Sequence, residues 1–97
     1  MEQKFISEWE KCRALAAEAG VRMRPVAGAE AMRTAHRALS GSRASDGFTA
    51  LAQIGHLEWS LEALAVDKRF TGLFSDEEAN EALARLMEAN FFGISAL

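Results

Sequence analysis

The stretch FTALAQIGHLEWSLEALAV, residues 48–66, decides the fold of this chain. Its large apolar side chains recur every three or four residues, a spacing that places them on one buried face of an α-helix. Gly55 interrupts this stripe, and a glycine costs a helix interior about 1 kcal/mol relative to alanine. We therefore predict a helix over 48–66, capped by Ser45 or Asp46, that bends or splits at Gly55 or accepts a close neighbour there. The stripe consists of Phe48, Leu51, Ile54, Leu57, Leu61 and Leu64.

Two further segments have clear helical signals. Residues 2–19 carry an apolar stripe and are followed by Gly20, which adopts the left-handed conformation of a helix C-terminus without penalty. A second helix begins after Ser75, because Glu78 stands three residues further on and completes a capping box; Gly93 is predicted to end it. The first stripe is Phe5, Trp9, Cys12, Ala16 and Ala19, and the second is Ala79, Ala82, Leu83, Leu86, Met87 and Phe91.

The remaining segments are one weaker helix and three connectors. A thin apolar stripe predicts a helix over 27–39, and the glycines and serines of residues 40–47 predict a loop. Residues 21–26 alternate apolar and basic side chains up to a proline, which indicates an extended connector or, alternatively, an edge strand. Residues 67–74 are a linker that we expect to fold over the core, because it is rich in apolar side chains. The sequence thus predicts an all-α fold, a bundle of four helices in a single domain over 1–97.

The composition agrees with a small helical protein. Apolar residues make up 49% of the 97 residues, which is enough for a globular core. Cys12 is the only cysteine, so no internal disulfide forms and a reducing compartment is expected. The first residues lack the apolar segment of a signal peptide, and no apolar run approaches the length of a membrane span. We expect a cytoplasmic protein that contacts no membrane.

Charge is segregated along the chain, whose net charge is −3. Residues 22–43 contain five arginines and one acidic residue, whereas residues 44–97 contain three basic and nine acidic residues. The simpler interpretation is that the basic segment lies against acidic neighbours and pairs with them. The alternative is a site for an anion or an acidic partner. The candidate residues for such a site are Arg22, Arg24, Arg33 and Arg37.

No combination of side chains predicts catalysis or metal binding. Cys12 lies on an apolar stripe and is expected to be a buried, unreactive thiol. His36 and His56 have neither the HxxxH nor the HExxH spacing of a metal site. An enzyme would need a pocket that joins one of these histidines to a carboxylate. We therefore expect no enzymatic activity, no metal and no cofactor.

The aromatic residues favour a role in binding. Trp59 falls off the leucine stripe by spacing, Phe70 lies in a connector, and Phe91 and Phe92 are adjacent. These rings either fill a second face of the bundle or form an exposed apolar patch, which usually marks a contact with another protein or with a second copy of the chain. We take them as candidate protein contacts.

The leading functional hypothesis is a small protein–protein interaction module. An adaptor, a regulator, an accessory subunit, a chaperone and an inhibitor all belong to this class, and a homodimer also fits it. The alternative is a nucleic-acid-associated regulator that uses the basic segment Arg22–Arg43. Against this alternative, the second half of the helix over 48–66 carries Glu58 and Glu62 where a DNA-reading helix needs exposed Arg, Asn, Gln or Ser.

Overall fold

Helices form the regular structure in the computed structural model, which describes residues 2–23, 30–41 and 43–89. In chain order they are α1 (Glu2–Glu18), α2 (Ala31–Ser40), α3 (Phe48–Gln53), α4 (Leu61–Ala65) and α5 (Asp76–Glu88). One 3₁₀ turn, Leu57–Trp59, precedes α4, and another, Lys68–Leu73, follows it. Over these described ranges no strand occurs, so the all-α prediction is confirmed.

Helix α1 ends where its sequence predicts. Gly20 has a φ of +94°, a conformation that favours glycine. Its N–H donates to the carbonyl of Ala17 at 3.1 Å, and the N–H of Val21 donates to that of Ala16 at 2.8 Å, which is the Schellman arrangement. Val21 is buried and directs the chain back onto the core. Of the predicted stripe, Ala19 alone is exposed.

Helix α2 ends at Ser40, one residue beyond the range predicted for it, and residues 27–29 of that range fall outside the described part of the chain. It buries Ala31, Ala35 and Leu39 against α1 and α5. The residues described between α1 and α2, 21–23, have no strand conformation, and the rest of that predicted connector lies outside the described residues.

The predicted helix over 48–66 is split at the glycine, as one of the two alternatives predicted. Gly55 has a φ of +76° and follows the end of α3. The predicted caps were wrong. Gly47 occupies the N-cap position of α3 and provides no side-chain hydrogen bond, while Ser45 binds elsewhere. Asp46 is exposed and does not cap the helix either.

A second break, at Ser60, was not predicted. The Ser60 hydroxyl accepts a hydrogen bond from the N–H of Ala63 at 3.1 Å and donates one to the carbonyl of Leu57 at 2.7 Å. One buried side chain therefore closes the 3₁₀ turn and caps α4.

The linker over 67–74 folds over the core, as its apolar residues predicted. Asp67 caps the 3₁₀ turn by accepting from the N–H of Arg69 at 2.9 Å. Phe70 and Phe74 are buried. This segment is therefore a part of the core rather than an exposed connector.

The start of α5 is the capping box that the sequence predicted. The Ser75 hydroxyl accepts from the N–H of Glu78 at 3.1 Å, and a Glu78 carboxylate oxygen accepts from the N–H of Ser75 at 2.8 Å. Helix α5 ends at Glu88, with Ala89 at its C-cap, so the prediction that it continues to Gly93 was wrong. Phe91, on the predicted stripe, lies outside the described residues.

The stripe predicted for α5 was partly wrong. Ala82 and Leu86 are buried, and so is Arg85, which was not assigned to the core. Leu83 is 38% exposed and Met87 is 59% exposed, so both lie on the surface flank of the helix. The buried face includes Arg85 instead, which donates hydrogen bonds to Glu62 and to the carbonyl of Gly41.

Two groups of buried side chains form the core. One is centred on Phe5, whose ring centroid is 5.2 Å from that of Phe70, 5.2 Å from that of Phe74 and 5.8 Å from that of Trp9. The other consists of Ala16, Val21, Phe48, Leu51, Leu57 and Leu86. Trp59 is partly buried and packs against both groups.

Candidate functional site

A groove of about 470 Å³ runs between α1 and the segment that contains the first 3₁₀ turn and α4. We call it the α1 groove. The wall on α1 is a single helical face, since its residues have the spacing i, i+3, i+4 and i+7: Glu8, Lys11, Cys12 and Leu15. The opposite wall consists of Glu58, Trp59, Ala63, Leu64, Asp67 and Arg69.

The interior of the α1 groove is apolar and partly aromatic. Cys12 and Leu64 are buried, whereas Leu15 is 37% exposed. Trp59 is held in place by its packing on both core groups and by the imidazole of His56, which stacks on it with centroids 4.1 Å apart and planes at 7°. The groove thus presents a rigid indole and an exposed leucine beside small side chains.

Paired charges line one part of the α1 groove. Arg69 donates to both oxygens of Asp67, at 3.1 and 3.0 Å, and lies 3.8 Å from a carboxylate oxygen of Glu8. Leu15 stands seven residues after Glu8, about 10 Å further along the helix axis. The polar end and the apolar end of the groove are therefore separated by two helical turns.

Electrostatics in the α1 groove favour a neutral thiol. Burial raises the pKa of Cys12, and the nearby Glu8 carboxylate raises it further. The hydrogen bonds from Arg69 lower the pKa of Asp67. Burial raises the pKa of Glu58, but a hydrogen bond from His56 and one from the backbone outweigh it, so the net pKa is lowered. These surroundings therefore favour the ionised forms of Asp67 and Glu58 and the neutral form of the Cys12 thiol.

The structure separates the aromatic residues that were candidates for protein contacts. Trp59 lines the α1 groove. Phe70 is 0% exposed, so its assignment to an exposed patch was wrong: its ring packs edge-on against Phe5 in the core. Phe91 and Phe92 lie outside the described residues.

The candidate arginines are not brought together with the α1 groove. Arg22, Arg33 and Arg37 are exposed. Within the ranges that the structure describes, none of the three makes an ion pair. Arg24 lies outside those ranges. Helix α2 does pack against α5, which begins with acidic residues, as the simpler interpretation predicts, but Arg22, Arg33 and Arg37 form no ion pair with a described residue.

Both histidines hydrogen-bond to carboxylates. His36 Nδ1 lies 2.6 Å from a Glu78 oxygen, and His56 Nδ1 lies 2.8 Å from a Glu58 oxygen. A carboxylate only accepts, so each Nδ1 carries the proton. Glu58 lines the α1 groove, but the His56 ring covers Trp59 and does not line it. A histidine and a carboxylate are thus adjacent without sharing that groove.

The main polar cluster inside the protein was missed by the sequence analysis. Glu62 accepts from the Ser45 hydroxyl at 2.5 Å, from the Ser45 N–H at 2.8 Å and from Arg85 at 3.0 Å. Arg85 also donates to the carbonyl of Gly41 at 2.8 Å. The sequence could have indicated that Arg85 is buried, because Arg85 lies three residues after Ala82 and directly before Leu86, which are both on the predicted apolar stripe. The oxygens of Glu62 are all occupied, which indicates a structural role.

Other signatures of function do not add to this site. No group of three or more His, Cys, Asp or Glu side chains among the described residues is arranged to hold a metal ion. In the same ranges, no helix is both long and apolar enough to span a membrane. Comparisons of the chain with protein-family models, curated proteins and solved structures found no match.

Proposed function

We propose that this chain is a small protein–protein interaction module and that the α1 groove receives an apolar side chain of its partner. The observation that supports this most directly is the position of Leu15. It is 37% exposed and lines a groove whose other side includes the indole of Trp59. Tryptophan is enriched among the few residues that contribute most of the binding energy at the centre of an interface, and the exposed leucine beside it adds apolar surface that a partner can bury.

The apolar part of the α1 groove is suited to one side chain of medium size. Full burial of a leucine or a similar side chain contributes about 1.5–3 kcal/mol. Trp59 costs little entropy to immobilise, because its packing on both core groups and the stacked imidazole already fix its ring. A partner that inserts a leucine or methionine would cover both exposed apolar surfaces at once.

The charged rim of the α1 groove narrows the chemistry of the partner segment. Lys11 is exposed and makes no ion pair with any described residue, whereas Arg69 is already paired with Asp67. An acidic or hydroxyl group on the partner would find Lys11 about one helical turn from Leu15. We therefore expect an amphipathic segment with one large apolar residue flanked by a polar or acidic residue.

The proposal is tested by recovering partners from the native host with three forms of the tagged protein. The forms are the wild type, Leu15→Glu and Ala14→Glu. Ala14 is the exposed neighbour of Leu15 and does not line the α1 groove, so its variant carries the same added charge outside the site. We expect a partner that the wild type and Ala14→Glu retain and that Leu15→Glu binds at least about tenfold more weakly.

The binding difference has to be reproduced with the purified partner by calorimetry, with circular dichroism showing that both variants are folded. A partner that binds all three forms equally, or that both variants lose equally, would contradict the role of the groove. Sedimentation equilibrium tests whether the partner is a second copy of the chain. If the wild type is a dimer and Leu15→Glu is a monomer, the occupant of the groove is a second copy of the chain.

A further inference from the structure

The outward face of α2 carries two cations without a counter-charge in the described part of the chain. Arg33 and Arg37 are one helical turn apart, so their Cβ atoms are about 6 Å from each other. Both are exposed, and neither takes part in an ion pair with residues 2–23, 30–41 or 43–89. The opposite side of the helix, with Ala31 and Ala35 fully buried, is fixed against the core. The two arginines therefore keep a defined spacing and direction.

Acidic groups are close to α2, and the two carboxylates of α5 with known partners bind groups other than Arg33 and Arg37. Helix α5 packs against α2 and begins with three acidic residues. The Glu78 carboxylate accepts hydrogen bonds from Ser75 and from His36 of α2 itself. Glu81, one turn later, accepts from Arg85. The contact between the two helices thus uses an imidazole and leaves the guanidinium groups of α2 to the solvent.

We infer that this α2 face, formed by Arg33 and Arg37, binds an acidic segment of the protein partner. The inference rests on the proposed function, since it adds a second contact to the same module. Guanidinium groups bind carboxylates through two parallel hydrogen bonds, which lysine does not do, and every cation between residues 22 and 43 is an arginine. The spacing fits two carboxylates one helical turn apart, or two residues apart on an extended chain.

Charge complementarity favours an acidic protein segment over a nucleic acid. Phosphate backbones are bound by broad basic surfaces, and two arginines would neutralise only about two phosphates. The net charge of the chain is −3, and Glu30, Asp76 and Glu77 are exposed on α2 and on the helix that packs against it. A long polyanion would meet these carboxylates, whereas a short acidic segment contacts the two arginines alone.

The test uses two defined peptides and isotope-labelled full-length protein. One peptide is an alanine-based helix with glutamates at i and i+4, and the other is identical except for lysines at those positions. In two-dimensional NMR titrations at low salt, we expect the glutamate peptide to shift the backbone signals of residues 31–40 and the Nε–Hε signals of Arg33 and Arg37. The lysine peptide should shift neither.

Paired substitutions locate the binding to α2. We expect the double variant Arg33→Ala, Arg37→Ala to bind the glutamate peptide about tenfold more weakly than the wild type does. Arg22→Ala with Arg43→Ala removes the same charge from exposed positions outside α2 and should change binding less than twofold. Equal weakening by both pairs would show a diffuse charge effect and would overturn the inference, as would shifts that map to another surface.

Two further measurements separate this inference from its competitors. One measurement is the binding of a DNA duplex. If the duplex binds more tightly than the glutamate peptide and depends on the same two arginines, the ligand of the α2 face is a nucleic acid and the inference is overturned. The other measurement is the oligomeric state. If the wild type forms a salt-sensitive dimer that the double variant does not form, the ligand of the α2 face is a second copy of the chain and the inference is overturned. Leu15→Glu should leave peptide binding to α2 unchanged, so failure at the α2 face and failure at the α1 groove are distinguishable.

Discussion

Arg85 Nη1 lies 3.0 Å from a carboxylate oxygen of Glu62, and the two side chains are 6% and 0% exposed, so a buried ion pair joins α4 to α5. The pair also fixes the connector that precedes α3. Ser45 donates to Glu62 through both its hydroxyl and its N–H, and Arg85 donates to the carbonyl of Gly41. A buried charge is tolerated only when it is paired and hydrogen-bonded, so each partner here depends on the others.

Replacing Glu62 by glutamine should therefore be strongly destabilising. The change removes the buried carboxylate and leaves Arg85 with only the exposed carboxylate of Glu81 as a charged partner, so we expect a loss toward the lower end of the about 3–5 kcal/mol that breaking a buried pair costs. Urea unfolding followed by circular dichroism measures the loss. Glu88→Gln, on an exposed position of α5, is the control and should stay within about 0.5 kcal/mol of the wild type. A Glu62→Gln protein as stable as that control would show that the pair does not stabilise the fold.

The capping box at the start of α5 should contribute less, because it is exposed. Ser75→Ala removes the acceptor for the Glu78 N–H and should lower the free energy of unfolding by about 1 kcal/mol. Ser7→Ala makes the same chemical change at an exposed position inside α1 and should be neutral or slightly stabilising. Equal effects at the two serines, in the same urea experiment, would contradict the capping role.

Some signals that act within one helical turn could be predicted from the sequence, although the cap expected at Ser45 or Asp46 was wrong and the cap at Ser60 was missed. Gly20, Gly55 and Ser75 each determine the backbone of a few neighbouring residues, and the structure confirms all three. Trp59 was singled out because it fell off a stripe, and it lines the α1 groove. These predictions needed no knowledge of which helices pack together.

Features that depend on distant partners could not be predicted. Glu62 and Arg85 are 23 residues apart in the chain, and Arg85 and Gly41 are 44 apart, so no local pattern shows that their charges are paired. For the same reason, the apolar pattern did not show that Arg85 rather than Met87 faces the core. Leu15 was missed as a groove residue because its surroundings are set by the packing of α4 beside α1.

Stability should fall in acid partly through Glu78. Burial raises the pKa of this carboxyl, but hydrogen bonds from Ser75 and His36 outweigh burial and set its pKa below the ordinary value of 4.5. The unfolded chain then binds a proton more readily than the folded one. The stabilisation is therefore present above about pH 4.5 and is lost as the pH falls through the lower folded pKa. We expect the free energy of unfolding to decrease over this range.

Glu78→Gln tests the origin of that acid sensitivity. The amide does not titrate, so the difference in stability between wild type and variant should be largest near neutral pH and shrink toward pH 3. Glu77→Gln, on the exposed side of the same helical turn, should leave the pH dependence nearly unchanged. Urea unfolding at a series of pH values gives both curves. A wild-type minus Glu78→Gln difference that is constant with pH would exclude this carboxyl as the source.

The orientation of α5 predicts opposite outcomes at two adjacent positions. Leu86 is 0% exposed and Met87 is 59% exposed, although the apolar pattern alone assigned both to the core. Leu86→Ala leaves a cavity between α5 and the groups packed on it and should cost about 2–5 kcal/mol. Met87→Ala removes a side chain that is mostly in water and should change stability by less than about 0.5 kcal/mol. Since alanine, leucine and methionine are all strong helix formers, helix propensity contributes little to either value. Comparable losses at the two positions in urea unfolding would mean that α5 is rotated in solution and that Met87 belongs to the core.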